Sequence, residues 1–494
     1  MSDAVEDEIV AWLTPLSDRR IDTACAHVFL QPDRVLKVKR HDDLGYADFS
    51  TDAQRLWALE RELEFNRPAA PDIYRAVRRI TREADGSLAI DGAGETLDHV
   101  LEMRRFDETW VLSARPEAVD GELAERLGRA IAGFHATAPL RPAGGLTALA
   151  WTVGSNAQLL RNTCKGLDQD RVEVMIALTE TALEEQSALL AHRSATGFAR
   201  RCHGDLHLGN ILLENGQPIL FDCIEFSDLL SDLDVQYDLA FLLMDLDFRD
   251  RRDAAVRALS AYLDEAARSF PAEIWRGMAA MPLMLSVRAA VRAHVTAHSG
   301  EVETARAYVE AAITHLSPPP PVLAAVGGLS GSGKSTFARA MAPGLGASPG
   351  AVILRTDEVR KRLAGVAPTE TLPAEAYAPE AQARAYDEMF ANAADLLRAG
   401  ASVVLDATFI DAGLRTRAAA LADDCGVAFR PAWLEAPVEL LAARVAGRSG
   451  DASDATVDVL REQASRLGGE IGWTKVDAAA PTAAAVATWN RAKA

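Results

Sequence analysis

Residues 328–336 read GLSGSGKST. The spacing G-x4-G-K-[ST] puts Gly328, Gly333, Lys334 and Ser335 at the fixed positions of a phosphate-cradling loop. Val322–Val326 before it predicts a strand, and Phe337–Met341 after it a helix. Glycines let such a loop curl until its N–H groups point inward at phosphate oxygens. The start of the next helix adds a positive dipole end. The expected contacts to ATP or GTP are Gly328, Ser330, Gly331, Ser332, Gly333, Lys334, Ser335 and Thr336. Lys334 would reach the β- and γ-phosphates, and Ser335 would hold Mg²⁺. A flexible Gly/Ser turn is the competing reading, and the strand–loop–helix setting speaks against it.

Downstream, Ala351–Leu354 predicts a strand that runs into Arg355-Thr356-Asp357. Asp357 and Arg360 lie three apart, on one face of the expected helix Asp357–Leu363. A carboxylate just past a strand's carboxyl end can take a proton from a substrate hydroxyl; a first-turn capping acid is the alternative. Ser402–Asp406, SVVLD, predicts a strand ending in an acid. Asp406 is either part of a Mg²⁺ shell or a loop cap. Leu440, Arg444 and Arg448 recur every four residues, so the arginines share a helix face. They would form a lid over the transferring phosphate, or only a solvated face. Residues 322–470 resemble the P-loop small-molecule and polynucleotide kinases, including zeta-toxin-like and gluconate-kinase-like enzymes. The resemblance implies Asp357 as the acceptor-activating base and Arg360 as a substrate contact.

Upstream, Ser317–Pro321 (SPPPP) cannot continue a helix and predicts a stiff linker. Residues 1–316 are expected as one domain and 322–494 as another, with 317–321 between them. Within the first, short strand-like runs (His27–Leu30, Val35–Val38, His99–Met103) suggest a small lobe over about 20–110. Gln31–Arg34 would turn a hairpin, and Thr51–Asn66 would be a helix. From about 120 to 316 most segments read as helices.

The helical part contains CHGDLHLGNILL, residues 202–213. Within it His203, Gly204, Asp205 and Asn210 form H-G-D-x4-N, and Asp222 follows twelve residues after Asn210. Asp205 on a tight loop would accept the proton of an attacking hydroxyl. Asn210 and Asp222 would supply oxygens to Mg²⁺. The runs Ile211–Leu213 and Ile219–Phe221 would be the hairpin presenting them. A polar turn between strands is the alternative. Over roughly 20–315 the chain resembles the aminoglycoside phosphotransferase family, which has a protein-kinase-like fold. The resemblance implies a phosphate-binding lysine in Val35–Val38, with Lys37 chosen and Lys39 as rival. It also implies a partner acid on the next helix, with Glu62 chosen and Glu60 as rival. The strand His99–Met103 with Arg104-Arg105 would be the adenine hinge. No G-x-G-x-x-G loop is present, and Phe221-Asp222-Cys223 stands where protein kinases have DFG. His207 would order the loop or meet substrate. Glu225, Asp232, Asp234 and Asp238 would either face a cationic substrate or cap helices. The whole chain resembles bifunctional aminoglycoside phosphotransferase/ATP-binding proteins.

The remaining numbers set limits. The 494 residues carry a formal charge of -19, which disfavours general nucleic-acid or anionic-membrane binding. Five scattered cysteines form no CxxC pair and suggest a reducing setting. The acidic N-terminus does not read as a secretory signal, and no run of about 20 apolar residues is present. The expected setting is cytoplasmic. The expected fold is an α+β kinase-like two-lobed domain followed by an α/β P-loop domain with a parallel sheet. The expected partners are a nucleoside triphosphate and a hydroxyl-bearing small molecule. Two other functions stand beside phosphoryl transfer: a nucleotide-dependent regulatory module, and a polynucleotide 5′-hydroxyl kinase in the C-terminal half.

Overall fold

The computed structural model describes residues 2–44, 47–164, 166–447, 453–467 and 471–492. The chain opens with helix α1 (Ser2–Leu13) and strands β1 (Arg19–Asp22), β2 (Ala26–Leu30) and β3 (Arg34–Lys39). Helix α2 (Asp52–Asn66) follows, then β4 (Tyr74–Arg82), β5 (Leu88–Ile90) and β6 (Glu95–Arg104). The six strands form one antiparallel sheet in the order β1-β2-β3-β6-β4-β5. Strand alternation explains its two faces. Leu36 and Val38 point back into an apolar cluster with Ile9 and Leu13 of α1, an element with no counterpart in the expectations above. Lys37 and Lys39 point forward to α2. A reciprocal capping box starts α2: Gln54 N donates to Thr51 Oγ1 and Thr51 N to Gln54 Oε1.

The helical lobe runs through α3 (Gly121–Thr137), α4 (Leu146–Asn162) and α5 (Gln169–Ala195). The short strands β7 (Ala199–Arg201), β8 (Ile211–Glu214) and β9 (Gln217–Leu220) come next, then α6 (Asp228–Ser231) and β10 (Asp232–Asp234). It closes with α7 (Val235–Phe248), α8 (Arg252–Ala266), α9 (Met281–His298) and α10 (Val302–His315). β8 and β9 pair as the expected hairpin, with Ile211 opposite Leu220.

After the prolines come β11 (Val322–Gly328), α11 (Lys334–Met341), β12 (Val352–Arg355), α12 (Thr356–Leu363), α13 (Pro379–Arg398) and β13 (Val403–Asp406). They are followed by α14 (Ala412–Cys425), β14 (Ala428–Glu435), α15 (Val438–Ala446), α16 (Val457–Arg466), β15 (Thr474–Asp477) and α17 (Thr482–Arg491). The five strands form an all-parallel sheet ordered β12-β13-β11-β14-β15. Helices cover both faces, as buried parallel strands require.

The two halves pack closely. Helix α8 lies against the edge strand β12, and one apolar cluster contains α8 and α3 residues together with Leu323, Val352 and Leu405 of the parallel sheet. Arg362 of α12 pairs with Asp264 of α8 at 2.6 Å. Arg339 of α11 pairs with Glu125 of α3 at 2.8 Å. Arg252 donates to the Pro349 carbonyl at 2.7 Å.

Candidate active sites

In the first half, Lys37 Nζ lies 2.7 Å from Glu62 Oε1 and 3.0 Å from Asp222 Oδ1. Lys39 Nζ takes the other oxygen of Glu62 at 2.8 Å and also bonds Glu225. Both rival lysines thus meet one carboxylate, but only Lys37 reaches the half-exposed Asp222. Glu60 is exposed and faces outward. Burial works against the Lys37 charge, yet Asp222 and then Glu62 outweigh it and hold the ammonium well above the ordinary lysine range. Burial likewise opposes the Glu62 charge, and the two lysines still pull its carboxyl down to about 2. Glu62 is therefore ionised and locks two cations in place.

The H-G-D-x4-N segment forms a tight loop. Asn210 Nδ2 donates to both the main-chain O and the Oδ2 of Asp205, each at 2.9 Å. His207 Nε2 lies 3.4 Å from the same Oδ2. Burial would raise the Asp205 pKa, but His207 beside it, then His203 and Arg288, hold the carboxyl well below the usual range. His207 also packs edge-on against Phe241 and accepts from Gly209 N, so it orders the loop. The loop is joined to the Asp222 segment: Phe221 N donates to Asn210 O, and His203 Nε2 pairs with Phe221 O.

Several residues outside the H-G-D-x4-N motif hold this site. Tyr74 of β4 accepts from Asp222 N at 3.0 Å, and Asn66 at the end of α2 accepts from Cys223 N at 2.7 Å. Buried Asp238 accepts from the N–H groups of His203 and Gly204 and pairs with His135. Arg288 of α9 donates to Gly204 O. Asp245 accepts from Leu208 N. The acids after Asp222 are therefore committed within the protein. Asp234 caps α7 and pairs with Arg193, Asp232 pairs with Arg201, and Glu225 pairs with Lys39. The arginines of the expected hinge are occupied as well, Arg104 by Glu214 and Arg105 by Asp18.

The second site lies at the carboxyl ends of the parallel strands. Gly328 and Gly331 have φ of 148° and 81°, and a Cβ on either would fall 2.7 or 2.6 Å from a backbone oxygen of Leu434 or Leu441. Only glycine fits there. The loop opens onto a cavity of about 670 Å³ whose lining includes Ser330, Lys334, Ser335, Thr336, Asp357, Arg360 and Asp406. Gly331 and Gly333 also line it, whereas Gly328 and the buried Ser332 do not. Lys334 Nζ donates to Leu329 O at 3.0 Å. Asp357 Oδ1 accepts from Arg360 Nη1 at 2.8 Å, and the guanidinium also stacks over Tyr377. Registry sets Asp406 beside Arg355, and Arg355 bonds both Asp406 Oδ2 at 3.3 Å and Ser335 Oγ at 3.1 Å.

Of the two arginines expected to form the lid, Arg444 is the one among the described residues. Arg444 does not line the cavity; it donates to the Ala478 carbonyl at 2.9 Å, because α15 turns that face toward the loop after β15. Arg448 lies outside the described residues. Arg417 of α14 and Arg466 of α16 line the cavity instead, and neither was anticipated.

Among the described residues no helix is long and apolar enough to cross a membrane, and all five cysteines are free. The chain matches the phosphotransferase enzyme family over residues 59–279 and an AAA domain over 323–469. It is 31% identical over 485 residues to the uncharacterized proteins Rv2004c of Mycobacterium tuberculosis and Mb2027c of Mycobacterium bovis, covering 94% of this chain and 93% of each of theirs. Among solved structures, a Plasmodium vivax ethanolamine kinase is 10% identical over 62% of this chain and 84% of its own, with a TM-score of 0.40. A Sinorhizobium meliloti gluconokinase is 23% identical over 35% of this chain and 93% of its own, with a TM-score of 0.24. The chain belongs to the family of these mycobacterial proteins, and it is a phosphotransferase with a P-loop kinase-like domain as its second half.

Proposed function

We propose that the chain is an ATP- and Mg²⁺-dependent phosphotransferase acting on a hydroxyl of a small molecule, with a second P-loop kinase or ATPase site. The halves divide at the proline linker 317–321. The observation that carries this reading is the pairing of Asp205 with Asn210 beside the linked charges Asp222, Lys37 and Glu62. Asp205 is ionised and keeps a fixed direction, so it orients the acceptor hydroxyl and takes its proton. Lys37, held by Glu62, binds phosphate oxygens of the nucleotide. The amide nitrogen of Asn210 is committed to Asp205, so its oxygen is the end available to a metal, with Asp222 as the carboxylate. These are hard oxygen donors, which suit Mg²⁺. The ion would neutralise charge on the transferring phosphate.

In the second half the loop and Lys334 bind the phosphates of ATP or GTP, and Ser335 and Asp406 form a matching oxygen pair for Mg²⁺. Asp357, steered by Arg360, takes the proton of a second acceptor. Purified protein is mixed with ATP and a library of hydroxylated metabolites, and ADP and product mass are measured. Asp205→Ala should abolish turnover of the first acceptor, and Lys334→Ala any turnover at the P-loop. Full turnover by both variants with every substrate found would sink the assignment.

A further inference from the structure

Arg355 spans the two groups assigned above to the P-loop metal. Its Nη2 donates to Ser335 Oγ, its Nε to Asp406 Oδ2 and its Nη1 to Glu358 Oε1, the last at 3.2 Å. The side chain is only 6% exposed. A guanidinium and a divalent cation compete for the lone pairs of the same hydroxyl and carboxylate oxygen. Their charges also repel strongly in a buried site. Glu358 is an anchor outside the metal pair, and it is shared: the same Oε1 lies 3.5 Å from Arg129 Nη2 of α3, in the kinase-like half. Arg129 Nη1 lies 3.9 Å from Asp264 Oδ2, and neither atom has a hydrogen-bond partner. One turn earlier on α3, Glu125 holds Arg339 of α11 and Arg257 of α8. Charges from the first half thus reach α11 and α12, the helices that follow β11 and β12 of the second.

We propose that Arg355 is a movable cation that holds the P-loop metal ligands, and that Arg129 of the kinase-like half sets how readily it leaves. The inference rests on reading the P-loop as a Mg²⁺–nucleotide site. When Mg²⁺ takes Ser335 and Asp406, the Arg355 head falls back on Glu358. Arg129 competes for that same carboxylate oxygen and so keeps Arg355 on the metal ligands. Arg355 and Arg129 are positioning residues here: they act on the ligands and not on the reacting atoms. The consequence is that nucleotide loading at the second site depends on where α3 of the first half lies.

The test uses the full chain and a fluorescent ATP analogue, with Mg²⁺ titrated at fixed nucleotide. The part of the signal removed by Lys334→Ala is assigned to the P-loop. Arg355→Ala should lower the Mg²⁺ concentration for half-saturation about tenfold, the factor by which a competing state populated about 10:1 weakens apparent affinity. Metal-free nucleotide affinity should not rise. Arg355→Lys keeps the charge but cannot span both groups, and should fall between. Arg129→Ala should shift half-saturation in the same direction by about threefold, and should add nothing in the Arg355→Ala background. Melting curves confirm folding of each variant. An Arg355→Ala protein with unchanged Mg²⁺ dependence, or one that loses nucleotide equally with and without metal, overturns the proposal; in the second case Arg355 is a phosphate contact. Additive effects of Arg129→Ala and Arg355→Ala, or none from Arg129→Ala, overturn the link between the halves. A signal that Lys334→Ala leaves intact overturns the P-loop reading itself, and the proposal with it.

Discussion

Ile353, on the edge strand of the C-terminal sheet, donates its backbone N–H to Ser260 Oγ of α8 at 3.0 Å. The same hydroxyl donates back to Val256 O at 2.8 Å. A sheet edge is a row of unpaired N–H and C=O groups that invites association, and here a helix of the other half covers it. The halves therefore share a core and protect each other, which a flexible tether of two independent enzymes would not require. Ser260→Ala should leave the Ile353 N–H buried without an acceptor and lower stability by about 1–3 kcal/mol. The whole chain should unfold in one transition in denaturant, followed by fluorescence and circular dichroism together. Two separated transitions would show that the halves do not stabilise each other.

The two lysines of β3 should separate by phenotype. Lys39 is 1% exposed and bonds Glu62 and Glu225, which are buried themselves. Lys39→Ala leaves buried Glu225 without its cation, beside a Glu62 that keeps Lys37, a loss of about 3–5 kcal/mol. Lys37→Ala leaves Glu62 paired with Lys39, so the melting temperature should fall much less while nucleotide affinity and kcat collapse. Equal destabilisation by the two substitutions would remove the distinction.

How much of this could be read beforehand follows from how far apart the partners lie. The phosphate loop and H-G-D-x4-N are local: fixed spacings within a dozen residues dictate a curl or a tight turn, so both were legible. The alternation of Lys37 and Lys39 across Val38 already put both on one face, but which one meets Asp222 depends on a segment 185 residues away. Tyr74 and Asn66 support the site from other elements, and no local pattern marks them. The run of acids after Asp222 was noticed, yet only the fold shows that Asp232, Asp234 and Asp238 are held by Arg201, Arg193 and His135. Helical spacing put Arg444 on one face with Leu440 but could not tell which way the helix would face. The docking of α8 on β12 was invisible, since an apolar helix face does not name its partner.

Asp264, at the junction of the halves, gives a pH prediction. Burial and then the Glu358 carboxylate push its pKa up to about 6 from an ordinary 3.8, against the pull of Arg362, Arg129 and Arg268. Between those values the native state holds a proton that the unfolded chain has released. The contribution to stability is thus fully present below the unfolded pKa and is lost as pH rises through about 6. Over that window the loss is roughly 3 kcal/mol, at 1.36 kcal/mol per pH unit. Asp264→Asn keeps an acceptor for Arg362 and removes the titration, so it should gain on the wild type as pH rises from about 5 to 7. Urea unfolding at the two pH values measures the difference, and parallel slopes would refute it.

Asn210→Asp is the most direct probe of the kinase-like site. Asn210 Nδ2 donates to Asp205 Oδ2, so the substitution replaces a donor with a second carboxylate at a separation of 2.9 Å. It retains an oxygen for the metal, which Asn210→Ala would not. Two like charges so close cannot both ionise without cost, and the apparent pKa of the pair rises. The wild-type Asp205, held well below the usual carboxylate range by His207, should place the acid limb of its pH–rate profile at low pH. In Asn210→Asp that limb should move up by roughly a pH unit or more. Asp205 would also lose the hydrogen bond that aims it, so kcat at neutral pH should fall by about 10²–10³. Measuring kcat/KM across pH separates the two effects: a uniform loss without a moved limb would mean that Asn210 only orients Asp205 and leaves its charge untouched.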